Sequence, residues 1–193
     1  MKRRMMMIGL LVIVLCAIFI VYKKTFPRSI DVTLTGVKYQ LGAAGERTGT
    51  EPATVIIKGK LYTKLNGKRT FKGEVNIVGE QIPVPLDQRK LEIPFSNEGW
   101  GAMSYPYFIY GERGAVVRTE IHQSHLIFAN RDFTQVSFLI ADHVQGQKGE
   151  NSQTIWNTEN GYMLSVPATT REEALAISNK LMRDYLKTYG PLQ

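Results

Sequence analysis

The residues of this sequence that could perform acid–base or metal chemistry are few and scattered. Histidine occurs three times, as His122, His125 and His143. A spacing of three puts His122 and His125 on one face of a helix but on opposite faces of a strand, and residues 119–128 are typical of a strand. No neighbouring residue supplies further ligands. We therefore expect no metal site and interpret the three imidazoles as solvated or at the edge of the core.

Nucleophilic catalysis is not indicated either. The sequence contains no Gly-x-Ser-x-Gly motif and no glycine-rich phosphate loop ahead of a helix. Its one cysteine, Cys16, lies in an apolar run, where we interpret it as a small apolar residue. Carboxylates are numerous enough to form a glycosidase-type pair in the folded chain, which keeps an enzyme as an alternative. We expect no catalytic residues and no cofactor.

Clustered lysines suggest binding instead. Alternation places several basic side chains on one side of a predicted hairpin, and like-charged pairs across the strands disfavour that hairpin slightly. This conflict suggests an anionic partner, either lipid headgroups or a phosphate-rich wall polymer. The alternative is a solvated face whose lysines block edge pairing. This candidate anion-binding face consists of Lys58, Lys60, Lys64, Lys68, Arg69 and Lys72.

A second candidate contact surface is aromatic. Alternation along residues 103–110 groups Tyr105 and Tyr107 with Met103, which indicates core packing for that side of the strand. The other side carries the remaining aromatic residues, which could stack on sugar rings or pack on a partner protein. The candidate contact residues are Trp100, Phe108 and Tyr110.

The first 24 residues predict a membrane anchor. Residues 5–22 carry no charge and lie between Lys2-Arg3-Arg4 and Lys23-Lys24. As a helix this run would be about 27 Å long, close to the hydrocarbon thickness of a bilayer. It is longer than a signal-peptide core and no small-x-small cleavage site follows it, so we expect a retained signal anchor. Positive charges flank both ends, but the short N-terminal tail favours export of the following domain.

Composition limits the class of the remaining domain. Five of the 24 basic residues flank the apolar run, and the other 19 face 17 acidic residues, which leaves a net charge of +2. A nearly neutral domain gives no reason to expect nucleic acid as a partner. Cysteine is absent beyond Cys16, so disulfides and thiolate metal sites are excluded there.

Period-two alternation of apolar residues predicts strands through most of this domain. Residues 54–65 and 70–78 form the clearest hairpin. A three-residue loop ending at Gly67 would pair Leu61 with Phe71, whereas a two-residue turn would pair Leu61 with Lys72, so the first register is preferred. Further strands are predicted at 30–34, 91–95 (an edge strand), 103–110, 116–129 and 133–141. Residues 155–156 and 162–166 suggest a final hairpin, and 42–52 a polar loop.

One helix is predicted over residues 171–189, with Thr170 and Glu173 as a capping box. The expected fold is therefore mainly β (α+β), an antiparallel sheet, sandwich or flattened barrel with this C-terminal helix. We expect an anchor at 1–24, a link at 25–29 and one extracytoplasmic domain at 30–193. The expected function is a single-pass, membrane-anchored bacterial envelope protein whose domain binds or supports a partner without chemistry of its own. The alternatives are a membrane-tethered hydrolase acting on wall or lipid substrates and an accessory subunit of a membrane complex.

Overall fold

The computed structural model of the protein describes residues 13–16, 19, 26–140, 142–144 and 153–193. The predicted anchor lies mostly outside these residues, and the few of them that are described, 13–16 and 19, are helical. Within the described ranges, none of the helices combines the length and apolar character that crossing a bilayer requires.

Strands make up most of the described chain. They are β1 (Arg28–Gln40), β2 (Thr50–Thr63), β3 (Arg69–Ile77), β4 (Leu91–Phe95), β5 (Trp100–Tyr110), β6 (Val116–Ala129), β7 (Val136–Ile140), β8 (Asp142–Val144), β9 (Gln153–Ile155) and β10 (Tyr162–Val166). The helices are α1 (Gly42–Thr48) and α2 (Arg171–Leu181), with 3-10 turns at Leu86–Gln88 and Tyr185–Thr188.

Eight strands form one antiparallel sheet in the order β4-β3-β2-β1-β10-β7-β6-β5. The two terminal strands, β4 and β5, approach each other, and the side chain of Ile93 lies against Gly101. The sheet therefore curls into a nearly closed barrel. The mainly antiparallel fold with a C-terminal helix is confirmed, and so is the position of residues 91–95 at an edge of the sheet.

Apolar side chains fill both faces of the curled sheet. The interior of the barrel holds a large core that includes Ile57, Phe71 and Phe138. A second core lies on the outer surface, where Ile177 of α2 and Met182 cover Phe128 of β6 and its neighbours. The second half of β6 and nearly all of β7 are buried almost continuously, as expected for strands that are covered on both faces.

A buried network of hydroxyl groups fixes α2 to the sheet. The Ser178 Oγ lies 2.8 Å from the Tyr39 hydroxyl, 2.7 Å from Ser165 Oγ and 3.0 Å from Ser137 Oγ. These four side chains come from α2, β1, β10 and β7 and are almost completely buried. Hydroxyls can donate and accept, so the cluster satisfies its own polar groups away from water. Burial raises the pKa of Tyr39 and so favours its neutral, donating form.

The predicted register of the β2–β3 hairpin is confirmed. Leu61 pairs with Phe71, and Gly59 pairs with Gly73. Gly67 has φ +82° and its N–H donates to the Lys64 carbonyl at 2.9 Å. A Cβ on Gly59 would lie 2.4 Å from the Lys72 carbonyl oxygen, so this glycine pair allows the two strands and the Phe71 ring to approach closely.

Three local predictions are wrong. The predicted loop at 42–52 contains α1, whose Gly45 packs closely against the Gln40 carbonyl. The predicted final hairpin does not form, because β9 pairs with β8 while β10 inserts between β1 and β7. The C-terminal helix ends at Leu181 instead of 189, and a 3-10 turn follows.

The predicted cap of this helix forms with one change. The Glu173 N–H donates to the Thr170 hydroxyl at 3.2 Å, as in a capping box. The Glu173 carboxylate, however, accepts from the N–H and the hydroxyl of Thr169, each at 2.8 Å. These hydrogen bonds lower the pKa of Glu173 and stabilise its charged form at the N-terminus of the helix.

Replacement of Gly67 tests the hairpin. No atom lies within 4 Å of a Cβ built at this position, so Gly67→Val is strained only through its positive φ. We expect it to lower the free energy of unfolding by roughly 1–3 kcal/mol, measured by chemical denaturation. Gly67→Asn is the matched control and should cost much less, because asparagine adopts the left-handed region more readily. Equal stability of the valine variant and the parent would contradict the assigned loop conformation.

Candidate functional site

Five of the six residues of the predicted anion-binding face lie together on the outer surface of the β2–β3 hairpin. Lys58 and Lys60 of β2 and Lys72 of β3 are exposed on the outer surface of the barrel, with Lys60 opposite Lys72. Lys64 and Lys68 flank the hairpin tip and are also exposed, and the Lys64 N–H donates to the Lys68 carbonyl at 2.9 Å. These five lysines are called the lysine face below.

Carboxylates neutralise only one part of the lysine face. The Lys72 Nζ lies 2.8 Å from the Glu92 carboxylate of β4, and Glu74 lies opposite Lys58. Within the described part of the chain, Lys60, Lys64 and Lys68 have no carboxylate at ion-pair distance. Positive charge is therefore concentrated towards the tip of the β2–β3 hairpin.

Arg69 was predicted to belong to this face, and the structure corrects that assignment. It shares the parity of Phe71 and points into the end of the barrel. Its guanidinium donates to the carbonyls of Ala129 and Asn130 at 3.4 Å each, and lies 5.0 Å from the centroid of the Phe95 ring. Burial, with a smaller contribution from the charge of Arg131, lowers the pKa of Arg69. Arg69 is thus a half-buried cation beside another cation.

A cavity of about 750 Å³ opens at this end of the barrel. The β2–β3 hairpin tip, the start of β1 and the loops that follow β4 and β6 form its wall. Asp132 is the only acidic residue among the described residues that line it, and its carboxylate is bound by the Arg28 guanidinium. The cavity is called the basic mouth below, after its cationic residues Arg28, Lys64, Lys68, Arg69 and Arg131.

The basic mouth is also the end at which the N-terminal segment joins the domain. Phe26 lines the cavity and is 58 % exposed. Leu65, at the hairpin tip on the same rim, is 70 % exposed. Two exposed apolar side chains therefore lie on the same rim as the cations.

The predicted aromatic surface is divided in the structure. Trp100 is half-buried against the outer core, and its indole N–H donates to the Glu98 carboxylate at 3.1 Å. Phe108 and Tyr110 are exposed at the far end of β5 with ring centroids 6.4 Å apart. The Gln88 side-chain amide pairs with the backbone N–H and carbonyl of Phe108, at 2.7 and 3.2 Å. The structure therefore does not bring the three candidate contact residues together.

The other side of this strand is core, as alternation predicted. Met103 and Tyr105 are almost completely buried, and Tyr107 packs against the interior core.

The prediction that His122 and His125 lie on opposite faces of a strand is wrong. Ala102 pairs with Leu126, and Ser104 pairs with Gln123. Between these pairs β5 has one residue and β6 has two, so β6 contains a β-bulge. The extra residue brings His122 and His125 to the same, interior side instead of opposite sides. The His122 ring stacks on Tyr105 with centroids 6.2 Å apart. Among the described residues, no group of three or more histidine, cysteine or carboxylate side chains could hold a metal ion.

The fold creates one titratable pair that sequence reasoning missed. The His125 Nε2 lies 2.7 Å from the Glu80 carboxylate, and His125 is 6 % exposed. Both residues line a cavity of about 350 Å³ at the opposite end of the barrel from the basic mouth. Such a pair can orient an imidazole for proton transfer. No sequence signal joins the two residues, because Glu80 follows β3 and only barrel closure brings β6 beside it.

Two buried polar atoms near this pair have no hydrogen-bond partner within the described chain: the Tyr105 hydroxyl and the His125 Nδ1. Burial raises the pKa of Tyr105 to about 12; the Glu80 carboxylate acts in the same direction and Arg89 opposes it. The phenol therefore stays neutral in the barrel interior.

Comparison with known proteins supplies no analogue for either cavity. No protein-family model, curated protein sequence or solved structure matches this chain. The two ends of the barrel differ in their chemistry. One end concentrates positive charge beside the N-terminal segment, and the other encloses a histidine–carboxylate pair among mostly aliphatic walls.

Replacement of Tyr105 by phenylalanine tests the buried phenol. In the unfolded chain tyrosine ionises near pH 10, whereas folded Tyr105 keeps its proton to about pH 12. The unfolded state thus binds fewer protons in that window, so this residue's contribution to stability is lost as the pH rises from about 10 to 12. Tyr105→Phe should flatten, without abolishing, the fall in stability in this window, because burial also raises the pKa of Tyr39.

At pH 8 the Tyr105→Phe variant should be as stable as the parent or more stable, since it removes a hydroxyl without a described partner. Denaturant unfolding at pH 8, 10, 11 and 12 measures both effects. An unchanged pH slope, or a clear loss of stability at pH 8, would contradict this account of the interior.

Proposed function

We propose that this chain is a single-pass, membrane-anchored bacterial envelope protein. Its β-barrel domain lies outside the membrane and binds an anionic partner without chemistry of its own. The observation that carries the proposal is that positive charge is concentrated at the end of the barrel that the N-terminal segment joins. Lys64 and Lys68, which have no carboxylate at ion-pair distance among the described residues, lie at the end of the barrel where the N-terminal segment enters.

Electrostatics supports binding at that end. Each cation near an anionic surface contributes on the order of 1 kcal/mol, and charges within a Debye length of about 8 Å act together at physiological salt. Lys60 opposes Lys72, and Lys64 closes the tip with Lys68. Glu92 compensates the charge of Lys72. The like charges of Lys64 and Lys68 at the tip, in contrast, disfavour the hairpin slightly unless an anion compensates them.

The apolar run of residues 5–22 supports anchorage. Ile13, Leu15 and Phe19, which the structure describes within this run, are all more than half exposed. Large apolar side chains exposed along a charge-free segment of 18 residues favour contact with lipid.

Two alternatives each have one observation in their favour. The Glu80–His125 pair favours a membrane-tethered hydrolase, although its imidazole is buried. The exposed residues Phe108, Tyr110 and Ile121 favour an accessory subunit that packs an apolar strand face on a membrane protein. Neither observation accounts for the concentration of positive charge beside the N-terminal segment, which the binding function explains.

Protease treatment of intact cells tests the topology. We expect external protease to remove the domain and to leave a small membrane-embedded fragment that contains residues 5–22. Lysis before digestion is the control for latent sites. Full-length protein protected in intact cells, or a soluble form that starts near residue 25, would contradict the anchored, exported arrangement.

Binding of labelled polyphosphate to the full-length protein in neutral detergent micelles tests the lysine face. Replacing Lys60, Lys64 and Lys68 by glutamine removes three unpaired cations, which should weaken binding on the order of 100-fold. The affinity of the parent should also fall steeply as salt is raised.

The matched control for this experiment replaces Arg47, Arg113 and Arg183 by glutamine. These residues are exposed and lie outside the lysine face, and the change in net charge is identical. An equal loss of affinity in both triple variants would show that net charge alone is responsible. If the lysine variant binds as well as the parent, these lysines form only a solvated surface and the proposed contact is contradicted.

A further inference from the structure

We propose that the basic mouth binds the phosphate group of an anionic phospholipid from the bilayer that holds the chain. This inference rests on the proposed membrane anchorage and names the ligand of that end of the barrel. It differs from the lysine-face contact in its central residue, Arg69, which lies inside the barrel end and not on the outer surface.

Arg69 is the reason to expect an anion inside the cavity. Its guanidinium is half-buried, and among the described residues its hydrogen bonds go only to two carbonyl oxygens at 3.4 Å, which is long for hydrogen bonds that should hold a charge. Arg131 adds a second positive charge nearby. The Asp132 carboxylate is bound by Arg28, so it does not neutralise the charges of Arg69 and Arg131. A partly desolvated cation without a counter-ion is costly, and a bound anion would remove that cost.

Phosphate fits this cavity in charge and geometry. A guanidinium has five N–H donors in a planar fork; two of those of Arg69 donate to the carbonyls, and the other three can donate to phosphate oxygens. Phe95 supports the Arg69 fork from one side, which limits its orientation. Lys64 and Lys68 also line the cavity and add two positive charges. The volume of about 750 Å³ exceeds that of a phosphate group and leaves room for the glycerol part of a headgroup.

The position of the cavity favours a lipid over a soluble phosphate. The apolar run ends at Tyr22 and the cavity begins at Phe26. Four extended residues span at most about 14 Å, so the mouth is held within reach of the headgroups, whose layer is roughly 5–7 Å thick. Phe26 and Leu65 expose apolar side chains on this rim, where they can enter the interface while the cations meet phosphates. A soluble polyanion would leave both side chains in water.

Native mass spectrometry of the full-length protein in neutral maltoside micelles tests the proposal. The probes are dioleoylphosphatidylglycerol and dioleoylphosphatidylcholine, with inorganic phosphate and sn-glycerol 3-phosphate as soluble competitors. We expect one phosphatidylglycerol molecule to be retained in preference to phosphatidylcholine, whose choline the rim cations repel. Arg69→Gln and Arg131→Gln should each weaken retention on the order of tenfold, and Arg69→Lys should fall between parent and glutamine because it keeps the charge without the fork.

Arg113→Gln is the matched control, since it removes an exposed arginine that lies outside both the lysine face and the mouth and should leave lipid retention unchanged. Arg131 is exposed, so its variant decides the question if Arg69→Gln fails to fold. Equal retention by the parent and Arg131→Gln overturns the proposal. Arg69-dependent binding of soluble phosphate without a preference for phosphatidylglycerol overturns the lipid as source and keeps the phosphate chemistry. A chain that fractionates as a soluble protein overturns the anchorage instead, and that result is independent of the arginine variants.

Discussion

The pairing register of β2 and β3 is the constraint on which the rest of the molecule depends. With Leu61 opposite Phe71, every second residue of the hairpin faces the barrel interior and the intervening lysines face outward. A slip of one residue would exchange the two sets and bury Lys60 and Lys72. The left-handed Gly67 and the paired Gly59 and Gly73 exclude that slip, because one sets the loop length and the others fix where the strands approach closely. The same parity that buries Phe71 also turns Arg69 into the end of the barrel.

The parts of the fold that were predictable are those that short segments determine. Alternation and turn chemistry specify the hairpin, the proline in residues 91–95 marks an edge strand, and Thr170 with Glu173 marks a helix start. The failures have a common physical origin in long-range pairing. A bulge in β6 places His125 on the same side as His122. β10 pairs with β1 and β7 instead of with β9, the strand that precedes it in sequence. Alternation cannot reveal an inserted residue or a distant partner.

The candidate site illustrates the same limit. The lysines could be recognised because they repeat at spacing two within one hairpin. The cavity beside them could not, because Arg28, Arg69 and Arg131 come from three separate parts of the chain and are joined only when the sheet curls. Half-burying a cation and placing like charges together both oppose folding. The two apolar cores and the buried hydroxyl network stabilise the fold and offset this loss of folding free energy. Binding sites commonly lower the stability of a domain in this way.

The insertion of β10 between β1 and β7 has a consequence for how the chain is made. Ribosomes add about 5–20 residues per second, and roughly 120 residues separate the end of β1 from the start of β10, so synthesis of that interval lasts about 6–24 s. Throughout it, β1 and, later, β7 lack the partner that finally occupies the gap between them, and their backbone donors and acceptors can pair with a neighbouring chain. The nascent domain is therefore most prone to aggregation along two strand edges that the finished barrel conceals. A chaperone that protects this protein must cover those edges before β10 is made.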